Sequence, residues 1–214
     1  MFYLSVEGSL DSLEYPADGF LGKLFAPSLF VSYQFVYGVD WEPIKLTGEG
    51  SSIEAGLTQI AQRKSGTQPL YIYNFPLDIT FRSSNPYGWP KICVAVYKNN
   101  GRITVIKGYG WVHVPVAPGR YETVVPLFSP RHSSLARSIF SKFSAPEFID
   151  ETFVCQDEGR SVTRVKSEGY VKIKWSVTMK NIQSQGFEFS DLEGIVKDKK
   201  YYTLYDAPLQ EQNK

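Results

Sequence analysis

The sequence predicts an all-β fold, an antiparallel β-sandwich of about eight strands with one short helix in a long connection. Three observations predict it. Apolar residues alternate with polar ones along several short runs, glycine and proline punctuate the gaps between those runs, and one asparagine-glycine pair sits between two of them. Of 214 residues, 43% are hydrophobic and 15% aromatic, enough to bury a full core in one domain followed by a polar tail.

The run "PLDITFRS" sets Leu77, Ile79 and Phe81 against Asp78, Thr80 and Arg82, which is a strand with one buried face. "SNPYGWP" follows it as a tight corner. Asn85 precedes a proline and is biased away from helix, Pro86 suits the second position of a turn, and Gly88 accepts positive φ. Pro90 is tolerable at the first position of the next strand, "KICVAVYK", which is apolar on both faces. Asn100-Gly101 then gives a hairpin signal, and "RITVIKGYGWVHVPV" returns as a strand. "FYLSVEG", "LFVSYQFVYG" and "GRYETVVPLF" repeat the same grammar. The cleanest alternation is Tyr170 to Met179, with Val171, Ile173, Trp175, Val177 and Met179 on one face and Lys172, Lys174, Ser176 and Thr178 on the other. "RSVTRVKS" is expected to pair with it through a turn at Glu168-Gly169, with a bulge correcting its register.

Two segments depart from this pattern. "SSLARSIFSKF" spaces Leu135, Ile139, Phe140 and Phe143 as a short amphipathic helix. "SIEAGLTQIAQRK" reads as a helical turn or a mobile loop, with Gly50 and Gly56 weighing against helix. Beyond about Lys180 the chain turns polar and reads as a frayed end.

Chemistry is sparsely supplied. Catalysis needs a nucleophile, base and orienter, or a metal with an open position, and the histidines are only His113 and His132. His113, on a strand, reads as structural. Neither a paired-cysteine motif nor a histidine pair suggests zinc, and neither "GYG" nor "EGEGSS" has phosphate-loop spacing. Asp11, Asp18, Asp40, Asp78, Asp150 and Asp157 are scattered singly, against calcium binding. No enzyme activity, cofactor or metal is expected. The start "MFYLSVEGSL" lacks the basic region of a secretory signal, and no apolar stretch reaches the roughly 20 residues that span a bilayer. The cysteines are Cys93 and Cys155. A reducing compartment is expected, with Cys93 a small buried hydrophobe.

Lysine and arginine total 23 against 22 acidic residues, so no global field draws the protein to nucleic acid or membrane. The distribution is more informative than the sum. From Ile79 to Tyr121 there is no acidic residue, while Arg82, Lys91, Lys98, Arg102, Lys107 and Arg120 are positive. Such a cluster either binds anionic lipid or a partner, or simply solvates strand ends. Around the corner, Tyr87, Trp89, Tyr109 and Trp111 are either anchors for a partner protein or rings folded over the sandwich edge. Thus Asn85, Pro86, Tyr87, Gly88 and Trp89 form a candidate fold-defining or docking corner. No basic-aromatic platform for nucleic acid is evident.

Together, "FVYGVDW", "NFPLDITFRSSNPYGWPKICVAVY", "GYGWVHVPVAPGR" and "EGRSVTRVKSEGYV" resemble the B9 domain family, in order from the first strand to about Met179. The resemblance implies a C2-like β-sandwich over residues 1–180, with a polar tail over 181–214. It implies a cytoplasmic, non-enzymatic scaffold subunit of the Meckel syndrome complex, peripheral to the membrane at the ciliary transition zone and basal body. The implied role is support of ciliogenesis and of the gating of ciliary membrane proteins. Implied partners are B9 domain-containing protein 2, Meckel syndrome type 1 protein and tectonic-type membrane proteins. The alternative is a calcium-independent phospholipid-binding module that uses the basic central hairpin on anionic phospholipid.

Overall fold

The structure, a computed structural model, describes residues 1–16, 27–44, 54–62, 69–99, 101, 103–130 and 165–188. The described strands are β1 (Phe2–Glu14), β2 (Ser28–Val36), β3 (Trp41–Pro43), β4 (Ala55–Leu57), β5 (Ala61–Gln62), β6 (Leu70–Ser83), β7 (Lys91–Asn99), β8 (Thr104–His113), β9 (Gly119–Pro130) and β10 (Val165–Lys180). They run in the order β3-β6-β1-β10-β9-β8-β7-β2-β4, with β5 also on β2, and neighbours are antiparallel.

The sheet curls on itself. β2 and β6 stand far apart in that order, yet the rings of Phe35 and Phe81 lie 6.0 Å apart and those of Tyr33 and Phe75 5.8 Å apart. The Tyr73 hydroxyl also donates to the Leu29 carbonyl at 3.0 Å. Pairing is sparsest between β8 and β9, where Tyr109 opposite Phe128 is the one registered pair among the described residues. The curl lets one core take the inward side chains of both halves, which two packed sheets with one buried face each require.

Alternation and burial agree closely on β10. Val171, Ile173, Trp175 and Val177 are buried, whereas Lys172 and Lys174 face outward to ion pairs with Glu122 (3.0 Å) and Asp11 (2.6 Å). On β6, Leu77, Ile79 and Phe81 are buried as the pattern predicts. β7 is covered on both faces. Ile92, Val94 and Val96 enter the main core, and Ala95 joins Ile106 and Tyr109 in a second cluster on the other face.

Several expectations are corrected. Glu168-Gly169 is no hairpin turn, because Val165–Lys180 is one strand whose partners are β1 and β9. Gly169 has φ 74 and lies where the register against β9 shifts between Ser167 and Tyr170. A positive-φ glycine suits a turn or a bulge equally well, and here it is a bulge. The described part of "SIEAGLTQIAQRK", residues 54–62, contributes the strands β4 and β5 rather than the helical turn or mobile loop expected. Cys93 is buried and disulfide-bonded rather than a free thiol. With two cysteines in the chain, their spacing does not reveal whether they meet in space, and Cys155 lies outside the described residues. So do the expected helix in "SSLARSIFSKF" and most of "RSVTRVKS". Packing also continues past Lys180: Ile182 is buried before a 3₁₀ turn, Gln183–Gln185, and the ring of Phe187 lies 6.2 Å from that of Phe2.

Candidate functional site

The corner between β6 and β7 is built from its backbone demands upward. Asn85 accepts at Oδ1 from the Tyr87 N–H (3.1 Å), closing a local turn of the kind asparagine favours. Its Nδ2 donates to the Asp40 carboxylate at 3.0 Å, which ties the turn to the loop between β2 and β3. Buried Ser83 stands between the two loops, its Oγ 2.8 Å from the Asp40 carbonyl and 2.7 Å from the Asn85 carbonyl. Gly88 has φ 71, the left-handed conformation expected of it, and its carbonyl accepts the Gly38 N–H at 2.8 Å.

Two tryptophans fasten the corner to the core. Trp41 Nε1 donates to the Tyr87 carbonyl and Trp89 Nε1 to the Val114 carbonyl, both at 2.9 Å. The two rings meet edge to face, 5.1 Å between centroids, and both are buried. Each indole N–H is therefore satisfied where burial would otherwise penalise it. Pro86 is buried as well. The opposite side of the corner faces solvent: Tyr87 is 65% exposed and Val39 fully exposed, on neighbouring loops held together backbone to backbone.

The basic residues do not converge. Arg82 sits on β6, where Nε and Nη2 hold the Glu42 carboxylate of β3 at 2.8 and 2.6 Å, so its charge is offset. Lys91 begins β7, with Nζ 4.9 Å from the centre of the Trp111 ring. Lys98 is seven residues further along the same strand, roughly 23 Å away at strand rise. Lys107 occupies the β8 bulge opposite Val96 and Tyr97, near the Lys98 end. Arg102 lies outside the described residues. A single acid-free stretch of sequence thus becomes at least two separated locations.

Among the described residues, the titratable groups with displaced pKa values move away from neutrality. Burial, aided by the Glu54 carboxylate that accepts its hydroxyl, pushes Tyr37 up to about 12. Burial alone raises Tyr33, and burial with the neighbouring Tyr71 raises Tyr73. A hydrogen bond to Glu14 raises Tyr170, and one to Glu122 raises Lys172. None of these shifts poises a group for proton transfer near pH 7. His113 faces Lys91 across the β7–β8 ladder and meets the Trp111 ring edge to face at 5.4 Å, a packed position on a strand. Among the described residues, no group of three or more His, Cys, Asp or Glu side chains could hold a metal ion, and no helix is long and apolar enough to cross a membrane. Sequence reasoning singled out Tyr87 but missed Val39, because one valine in a turn carries no signal until its loop is seen beside the corner.

A family described as "Ciliary basal body-associated, B9 protein" (B9-C2) matches residues 16–178. The chain is 40% identical over 191 residues to B9 domain-containing protein 1 of Xenopus laevis, covering 87% of this chain and 89% of that protein. It is 25% identical over 166 residues to B9 domain-containing protein 2 of Bos taurus, covering 75% of this chain and 89% of that protein. Among solved structures, a C2 domain of plant Extended Synaptotagmin 1 aligns with 82% of this chain and 93% of its own at 9% identity, with a TM-score of 0.40. That likeness is loose, and the architecture rests on strand order and register.

Proposed function

The chain belongs to the B9 family of ciliary basal body-associated proteins, and from that membership we propose that it is a non-enzymatic scaffold subunit of a B9 assembly at the ciliary transition zone. In this reading it supports ciliogenesis and the gating of ciliary membrane proteins by joining B9 domain-containing protein 2, Meckel syndrome type 1 protein and tectonic-type membrane proteins. One observation supports it most. Tyr87 and Val39 are exposed on a corner whose two loops are already cross-tied, so a partner can bury both at little cost in ordering. A tyrosine on a rigid mount is a favoured anchor for a partner protein.

The competing reading is a calcium-independent phospholipid-binding module, supported by Lys98 and Lys107 lying toward one end of the β7–β8 hairpin. Ionic strength separates the two. Lysine-driven attachment to anionic vesicles weakens steeply with salt, whereas an interface with an apolar centre does not. Purified protein is mixed with B9 domain-containing protein 2 or with anionic vesicles at low and high salt. Salt-resistant co-purification with the protein partner supports the scaffold reading. Salt-sensitive vesicle binding without protein assembly overturns it. Changing Lys98 and Arg102 to Glu is expected to leave assembly intact.

A further inference from the structure

The two ends of the sheet differ in how they protect their edges. At one end β3 carries Pro43 and the exposed Glu42–Arg82 ion pair, devices that discourage another strand from adding there. Among the described residues the β4 end has neither device: "AGLTQIAQ", Ala55 to Gln62, contains no charged residue and no proline, and the carboxylate of Glu54 just before it accepts the Tyr37 hydroxyl at 2.9 Å.

Hydrogen bonding shows which backbone groups of β4 are taken by β2. The Phe35 N–H donates to the Glu54 carbonyl at 2.8 Å and the Thr58 N–H to the Val31 carbonyl at 2.9 Å. With Gly56 opposite Tyr33, positions 54, 56 and 58 face β2. Antiparallel strands alternate, so the N–H and C=O groups of Ala55 and Leu57 point away from the sheet. Among the described residues no strand lies beyond β4. Ala55 is exposed, as are the side chains of Leu57 (61%) and, beyond the strand, Ile60 (52%).

We propose that the outer edge of β4 takes up an extended, uncharged segment of a partner protein as an added strand, hydrogen-bonded to Ala55 and Leu57 and covering Leu57 and Ile60. Main-chain pairing supplies the attachment, and the aliphatic side chains select apolar residues in the incoming strand. A second copy of this chain fits less well. β4 is three residues long, and edge-to-edge pairing of two such strands falls far short of the roughly 1,000 Å² that a stable interface buries. An incoming segment can run on past β4 to Ile60. Anionic lipid finds no cationic side chain among the described residues of this edge, whose one charge is the Glu54 carboxylate.

The inference rests on the assembly reading above, and the test separates the two. Proline at position 57 or 55 removes an outward N–H without breaking a bond to β2, so Leu57→Pro and Ala55→Pro disable the edge while keeping the ladder. Leu57→Thr keeps the donor. Each variant of the full chain is co-purified with B9 domain-containing protein 2, with its thermal midpoint measured alongside, and amide exchange at residues 55–58 is followed in the wild-type protein with and without that partner. The expected result is at least a tenfold loss of binding for either proline variant at an unchanged midpoint, a smaller loss for Leu57→Thr, and slowed exchange at Ala55 and Leu57 in the wild-type complex. Normal binding by the proline variants, or a wild-type complex with unslowed exchange at these amides, overturns the β4 inference alone. Failure of the wild-type chain to bind overturns the assembly reading and this inference with it. Should both proline variants lower the midpoint, the wild-type exchange decides.

Discussion

Gly38 and Gly88 meet backbone to backbone: the Gly38 N–H donates to the Gly88 carbonyl at 2.8 Å, and a Cβ placed on Gly88 would lie 2.5 Å from the Gly38 Cα. With φ 71 at Gly88, a side chain there meets both backbone strain and a wall that cannot move aside. Gly101 is the contrast, with φ 79 and, among the described residues, nothing within 4 Å of an added Cβ. Gly101→Ala is therefore expected to lower stability by about 1–2 kcal/mol, and Gly88→Val by clearly more, about 3 kcal/mol or above once the clash adds to the strain. Urea denaturation of both variants checks the order. Equal midpoints would remove the corner from the framework of the fold.

Trp175 and Lys174 test the face assignment of β10. Trp175 is 2% exposed and its Nε1 donates to Thr123 Oγ1 at 3.0 Å. Trp175→Ala should lose about 3–5 kcal/mol. Lys174→Ala gives up only an exposed ion pair with Asp11 and should change stability by less than about 1 kcal/mol. Chemical denaturation showing the reverse order would invert the sheet.

Stability should respond to alkali through the tyrosines. Tyr37 rises from 10.0 to about 12 in the folded chain, so its neutral form is favoured by folding. That contribution is complete below pH 10, where folded and unfolded chains both hold the proton, and is lost as pH rises toward 12 because the unfolded chain releases it first. Thermal midpoints are expected to show this contribution unchanged up to about pH 9 and declining above pH 10, with Tyr37→Phe reducing the decline. A Tyr37→Phe variant that declines as steeply as the wild type would show that Tyr37 does not carry this dependence.

Much of this architecture is legible in the sequence because burial is one-sided where strands are long. Leu77, Ile79 and Phe81, and again Val171 through Val177, announce their inward faces by alternation alone. Gly88 announces its φ through the prolines and asparagine around it. The illegible parts have physical reasons. β4 and β5 span three residues and two, too short for a period to register. Gly169 has the local character of a turn, and only pairing with β1 and β9 makes it a bulge. The acid-free interval looks like one patch because it is contiguous in sequence, but extended chain separates Lys91 from Lys98 by the length of β7. Pairing Arg82 with Glu42 requires β3 to lie beside β6, which no local pattern states.

Assembly with other B9 proteins through the exposed corner, as proposed above, is tested by binding of the Tyr87→Ala/Val39→Ser variant. Both side chains point into solvent, whereas the bonds that hold the corner come from the Tyr87 backbone, Trp41, Asn85 and Gly38, so the fold should survive the double change. Titration against B9 domain-containing protein 2, with the thermal midpoint as a control, is predicted to show at least tenfold weaker binding at an unchanged midpoint, as loss of an anchor residue does. Wild-type affinity in the double variant would rule out the corner as the site of assembly.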